Sequence, residues 1–191
     1  TVITAATQTE PVVRAEDISN FTISGFTLKG SDAAGILVRN ASSGVIEFNR
    51  ATGSENGILV YASKGLVLSG NSAEKNEQYG IYLENSNGNK LTGNNASANG
   101  DKGIFLSSSH SNELSGNSTN LNMWNGIVLW SSNKNILKDN NALRNTFGIV
   151  ISESSDNEVS GNSTWPNLFI ILPIILIYIG IVTYILQRTI F

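Results

Sequence analysis

Six times along the chain a Gly-Ile step is followed, two residues later, by another Val, Leu or Ile. The steps are Gly35-Ile36, Gly57-Ile58, Gly80-Ile81, Gly103-Ile104, Gly126-Ile127 and Gly148-Ile149. They lie 22, 23, 23, 23 and 22 residues apart, and each glycine is followed fourteen positions later by an Asn: Asn49, Asn71, Asn94, Asn117, Asn140 and Asn162. Apolar residues two apart share one face of a β-strand, so the Ile row and the row Val38, Val60, Leu83, Leu106, Leu129, Ile151 both face a core. A third core row lies three before each Asn (Ile23, Ile46, Leu68, Leu91, Leu114, Leu137, Val159). A fourth lies two after it and is restricted to small residues: Ala51, Ala73, Ala96, Thr119, Ala142 and Thr164. Short β-type runs at a fixed period near 23 predict an all-β solenoid with one repeat per coil.

Polar positions repeat as strictly as apolar ones. Besides the Asn row already named, Asn76, Asn99, Asn122 and Asn145 recur five residues after it, and Asn89, Asn112, Asn135 and Asn157 five before. Stacked amides can hydrogen-bond from coil to coil, and Asn tolerates the left-handed backbone of sharp corners. The glycine opening each repeat is read as serving the same corners. Val12 lies 23 residues before Gly35, so a degenerate first coil starts there with Phe21 and Ile23 inside, giving about seven coils. Thr1 to Pro11 has no repeat register. The division expected is 1–11 as an N-terminal segment, 12–164 as a parallel β-helix and 165–191 as a membrane anchor.

That anchor is read from the break in pattern after Asn162. Leu168 to Leu186 is nineteen residues without a charge, and as a helix it spans about 28 Å, near the ~30 Å core of a bilayer. Trp165 and Arg188 flank this span, and Pro173 and Gly180 interrupt it as a kink and a small-residue contact. One transmembrane α-helix is therefore expected, with the repeats extracytoplasmic and a five-residue cytoplasmic tail. Asn-x-Ser/Thr triplets at Asn20, Asn40, Asn95, Asn117 and Asn162 are compatible with glycosylation on that side.

Composition narrows the partners. Twelve basic against fifteen acidic residues give a net charge of −3 with no basic cluster, which excludes nucleic acid. There is no Cys, hence no disulfide and no thiolate metal site. The chain starts at Thr1 without Met and reads as a processed or truncated product.

The pattern Gly-Ile-x-Leu-x-x-Ser-x-x-Asn-x-Leu-x-Gly-Asn, nearly intact from Gly103 to Asn117 and from Gly126 to Asn140, resembles the repeats of NosD-like and carbohydrate-binding or sugar-hydrolase proteins. The resemblance spans roughly Val12 to Asn162 and implies a right-handed, single-stranded parallel β-helix. It implies three functions: an accessory or scaffold subunit at a membrane or cell surface, a carbohydrate-active surface protein, and a metal-handling accessory.

The residues argue unequally for these. Inverting glycan hydrolysis needs two carboxyls ~6.5–9.5 Å apart, hence acids on neighbouring coils in one row. The row four after each Gly (Arg39, Tyr61, Glu84, Ser107, Trp130, Ser152) has one carboxylate, so no catalytic residue is assigned. Copper handling would fall to His110 and Met123, both read as bland corner residues, so no metal or other cofactor is expected. Strand alternation turns Leu37, Leu59, Tyr82, Phe105, Val128 and Val150 outward, an apolar stripe flanked by Tyr61 and Trp130. This stripe is expected to be exposed, to tolerate substitution at Phe105 and Val128 without loss of fold, and to dock a protein partner or else sugar rings. Aliphatic ends and the lack of neighbouring acids and amides favour the protein.

Overall fold

The computed structural model describes residues 1–165. The residues assigned to the membrane span, including Pro173, Gly180 and Arg188, lie outside the described residues. No helix among the described residues is long and apolar enough to cross a membrane.

The described residues wind through sixteen strands: β1 (Val2–Thr4), β2 (Val13–Glu16), β3 (Thr22–Ser24), β4 (Thr27–Arg39), β5 (Val45–Glu47), β6 (Arg50–Tyr61), β7 (Val67–Ser69) and β8 (Ser72–Ala73). These continue with β9 (Tyr79–Glu84), β10 (Lys90–Thr92), β11 (Lys102–Ser107), β12 (Glu113–Ser115), β13 (Asn125–Trp130), β14 (Ile136–Lys138), β15 (Phe147–Ser152) and β16 (Glu158–Ser160). They form two parallel sheets. The long sheet runs β1-β4-β6-β9-β11-β13-β15, with β2 also on β4 and β8 on β6; the short sheet runs β3-β5-β7-β10-β12-β14-β16. Isolated bridges from Ser72 through Asn95, Ser118 and Asn141 to Ser163 stitch a third side. Seven rungs of the short sheet match the seven coils expected.

Register follows the repeat. Ile104 pairs with Ile81 and Ile127, and Leu114 with Leu91 and Leu137, so each apolar row becomes a column through the interior. Ile36, Ile58, Ile81, Ile104 and Ile127 are wholly buried, as are Leu68, Leu91, Leu114 and Leu137. The small-residue column Ala51, Ala73, Ala96, Thr119, Ala142 is equally buried, and Leu28 fills it one coil earlier. Interior burial fades at the last coil, where Ile151 and Val159 are 41% and 49% exposed. The backbone stitching nevertheless reaches Trp165, whose carbonyl accepts the Arg144 N–H at 2.7 Å, so Trp165 closes the last rung of the solenoid.

All three Asn columns are hydrogen-bonded ladders. Asn117 Oδ1 accepts the Asn94 backbone N–H and the Asn94 Nδ2–H, both at 3.0 Å, while Asn94 Nδ2 also donates to the Leu68 carbonyl at 2.9 Å. The other two columns repeat this scheme at Asn99 and at Asn112. A fourth ladder is built from the Ser of the repeat: Ser109 Oγ accepts the Ser86 N–H at 3.0 Å, and Ser132 Oγ accepts that of Ser109 at 3.0 Å. Most polar groups inside the narrow solenoid are thereby paired, which is what lets them be buried, although Ser54 Oγ and the ladder's Asn122 Nδ2 are buried without a partner.

Three readings change. The repeat-opening glycines do not sit at left-handed corners; they are needed because a Cβ on Gly57, Gly80 or Gly103 would lie 2.6–2.7 Å from the next coil's glycine carbonyl oxygen. Nor do the ladder asparagines take the left-handed backbone. Their neighbours do, at Gly93 and Gly116 just before the ladder and at Asn85, Ser108 and Ser131 just after the long-sheet strands. Lastly, Thr1 to Pro11 is not without register, since β1 pairs Val2, Ile3 and Thr4 with Thr27, Leu28 and Lys29.

Candidate functional site

The interior is consumed by folding, so chemistry must come from outward rows. Of these, the long sheet's outer face is the one whose residues depart most from the repeat. It has three rows. Ala34, Asn56, Tyr79, Lys102, Asn125 and Phe147 precede the glycines in register. Leu37, Leu59, Tyr82, Phe105, Val128 and Val150 form the central stripe. Arg39, Tyr61, Glu84, Ser107, Trp130 and Ser152 form the third.

The stripe points outward but is not open. Phe105 and Val128 are only 7% and 6% exposed, and Leu37, Leu59, Tyr82 and Val150 are half-buried. Tyr82 stacks on Phe105 with ring centroids 4.9 Å apart and planes within 7°, and Tyr79 packs edge-on against both at 5.1 and 5.4 Å. Lys102 Nζ sits 5.0 Å from the Tyr79 ring centroid and 5.2 Å from that of Phe105, and it is held by Asp101 at 2.6 Å. Ring faces and the cation therefore satisfy one another across the centre of the stripe. The expectation of a continuous exposed apolar face is overturned there: side chains of the preceding row fold over it.

Polar groups expected to be missing are present. Burial, then the charges of Asp101 and Glu55, raise the Tyr79 phenol above its ordinary range. The Tyr82 phenol is pushed up to about 12, first by burial and next by the neighbouring Glu84 charge. Gln78 Nε2 donates to Glu55 Oε1 at 2.6 Å. At the far end Trp130, 51% exposed, donates its indole N–H to Glu153 Oε2 at 3.1 Å. At the near end Tyr61, 38% exposed, shares with Leu37, Arg39 and Leu59 a shallow depression of about 420 Å³. Arg39 is paired there with Glu16 at 3.0 Å. Around the corner beyond Tyr79, a groove of about 520 Å³ runs between Lys75 and Arg144 over Leu121 and Met123.

Of the exposed aromatics on this face the sequence singles out Tyr61 and Trp130, which the structure leaves three rungs apart in one row, but not Phe147, 55% exposed in the row before the glycines. It missed Tyr79, Asp101, Lys102, Glu55 and Glu153. The signal was available: aligning the residues just before each glycine puts Tyr79 and Lys102 on adjacent rungs, beside the stripe they cover.

Other candidates resolve individually. His110 Nδ1 accepts the Asn133 N–H at 3.0 Å, so the imidazole is a rung of a corner ladder and its Nδ1 is occupied. Among the described residues no group of three or more His, Asp or Glu could hold a metal ion. Asn20 and Asn40 are exposed, and Asn95 donates to Glu74 at 2.8 Å. Asn117 is a correction: it is 1% exposed, and its Nδ2 donates to Leu91 O and Asn140 Oδ1, so in the folded chain it is a ladder residue and not a glycan acceptor. The Asn162 amide is likewise engaged, donating to Leu137 O.

Solved structures of the same shape were found by comparison. A periplasmic alginate epimerase, AlgG (D317A mutant), superposes with a TM-score of 0.69 at 20% identity over 80% of this chain and 46% of that one. The A-module of the Azotobacter vinelandii mannuronan C-5 epimerase AlgE6 gives 0.57 at 15% identity, over 80% and 57%. The Dettilon tailspike protein gp208 gives 0.58 at 18%, over 73% and 36%. These likenesses are of fold, and the chain spans about half the length of the epimerases it matches. No curated protein sequence matches. The family model described as right handed beta helix region matches residues 12–164, and with the parallel register, the stacked core and the ladders in place, the chain belongs to the right-handed β-helix family.

Proposed function

We propose that the chain is a non-catalytic glycan-binding β-helix, held at a membrane by its C-terminal apolar segment, and that the outer face of the long sheet is its binding surface. The observation that carries this reading is the stretch of the third row from exposed Tyr61 to exposed Trp130, with Glu84 and Ser107 between them. Three rungs separate the two rings, roughly 14 Å at the ~4.8 Å spacing of parallel strands, a span that accommodates several sugar rings. Aromatic rings at the ends offer faces to the C–H surfaces of sugars, and carboxylate and hydroxyl groups between them offer partners to sugar hydroxyls. A protein partner fits less well, since the centre of the stripe is already covered by Tyr79 and Lys102. Fold relatives that include alginate epimerases agree with a polysaccharide ligand without identifying it.

Catalysis is left out of the proposal because Glu84 faces Tyr61 and Ser107 on its neighbouring rungs, where a hydrolase would place a second carboxyl. Membrane attachment rests on the nineteen uncharged residues from Leu168 to Leu186. Retention of the full chain, in mild detergent, on a panel of immobilised polysaccharides tests the binding. Retention lost in Trp130→Ala supports it; passage of the wild-type protein through every column overturns it. Release of reducing ends from a retained polysaccharide would contradict the non-catalytic part.

A further inference from the structure

Resting on the glycan reading just given, the charge on this face assigns the class of sugar: we infer that it selects polysaccharides bearing free amino groups over those bearing carboxylates. The cations of the face are already paired, Lys102 with Asp101 at 2.6 Å, Arg39 with Glu16 at 3.0 Å, and Arg14, in register with Leu37, with Glu10 and Glu16. Three carboxylates beside the aromatic residues form no ion pair among the described residues: Glu55 by Tyr79, Glu84 by Tyr82, and Glu153 under the Trp130 indole. Glu55 and Glu153 accept from neutral donors, Gln78 Nε2 and Trp130 Nε1, which supply no countercharge. The cations Lys75 and Arg144 belong to the groove around the corner.

A carboxylate-bearing glycan laid from Tyr61 to Trp130 meets like charge at Glu84 and Glu153 and finds no unpaired cation on the face. An ammonium-bearing glycan meets two unpaired carboxylates along the same row of rungs, at Glu84 and just past Trp130 at Glu153. Charge-assisted N–H···O bonds are the stronger kind, and an exposed aromatic ring beside each acid adds a cation–π contact. Selection thus comes from acids that contribute nothing to the ladders, while the aromatic ends supply binding common to all sugars.

Binding of the full chain in mild detergent at pH 6 to four soluble ligands separates the possibilities: glucosamine oligomers, their N-acetylated counterparts, alginate oligomers, and a neutral glucan. The expected order places the amino oligomers at least tenfold tighter than the N-acetylated ones, with alginate weakest. The combined Glu84→Gln and Glu153→Gln variant is expected to lose that preference, the amino and N-acetylated oligomers then binding equally. A matched Glu47→Gln and Glu158→Gln variant on the short sheet is expected to keep the preference. Alginate binding as tight as that of amino oligomers, with or without Ca²⁺, overturns the inference while leaving the glycan reading intact. Equal loss of preference in the two double variants also overturns it, because the attraction would then be a property of net charge. Failure of all four ligands to bind removes the glycan reading itself.

Discussion

Inside and outside faces of the same strands obey opposite rules. Inward positions are held to a narrow choice: Ile on every rung from Ile36 to Ile149, Val, Leu or Ile two residues on, Ala or Thr in the narrow column, Asn in the ladders. On the outward side the central stripe reads Leu, Leu, Tyr, Phe, Val, Val and its neighbour Arg, Tyr, Glu, Ser, Trp, Ser. Interior repetition has a physical cause. In a solenoid each coil contacts only its neighbours, so every coil must solve the same packing and hydrogen-bonding problem. Outer positions are released from that problem. Where the repeat is broken, the sequence carries something other than the coil, and here the breaks gather around Tyr61, Tyr79, Tyr82, Lys102 and Trp130.

The largest effect should come from breaking the inner set. Asn94→Leu removes the acceptor of the buried Asn71 N–H and the donor to the buried Leu68 carbonyl, and leaves Asn71 Nδ2 with only its bond to the Ile46 carbonyl. Each stranded group costs about 1–3 kcal/mol. Loss of cooperative thermal unfolding, or a melting temperature lowered by tens of degrees, is expected in circular dichroism. A near-wild-type melt would mean that the ladder is ornamental.

A smaller loss is expected at the boundary between the two sets. Strand alternation alone makes Phe105 an exposed and freely replaceable residue; with 7% exposure, one ring stacked on it and another edge-on, Phe105→Ser should cost about 3 kcal/mol. Chemical denaturation measures this directly. A change within about 0.5 kcal/mol, the range of ordinary surface substitutions, would restore the exposed reading.

The smallest effect concerns pH. An unfolded tyrosine ionises near ~10, whereas burial and Glu84 hold Tyr82 to about 12 in the folded chain. Because the folded state keeps the proton longer, this contribution to stability is complete below ~10 and is lost as pH rises through about 12. Tyr82→Phe should therefore flatten the alkaline decline of stability and remove the latest step of the phenolate absorbance titration. An unchanged late step would place the perturbed phenol elsewhere.

How much of this was legible from the sequence follows from the same contrast. Core columns, strand register, coil number and the Asn ladders were readable because identical demands recur every 22 or 23 residues. What the repeat-opening glycines do was not, since a Cβ clash with the next coil's carbonyl leaves the same trace in sequence as a left-handed corner. The covering of the stripe also escaped, because it depends on where the non-repeating Tyr79 and Lys102 lay their long side chains. The pairing of β1 with β4 was hidden by its 25-residue offset, outside the period of the other coils.

The central claim is that the outer face binds and the inner rows fold, and the most direct measurement takes both quantities from one variant. In the full chain, Tyr61→Ala combined with Trp130→Ala removes both exposed rings of one row, 38% and 51% exposed, without touching a ladder. Truncating central binding residues commonly costs more than about 1 kcal/mol each, so affinity for the retained glycan should fall at least about tenfold. The melting temperature should stay within a few degrees of wild type. Unchanged affinity, or a collapse in stability like that expected of Asn94→Leu, would contradict the account.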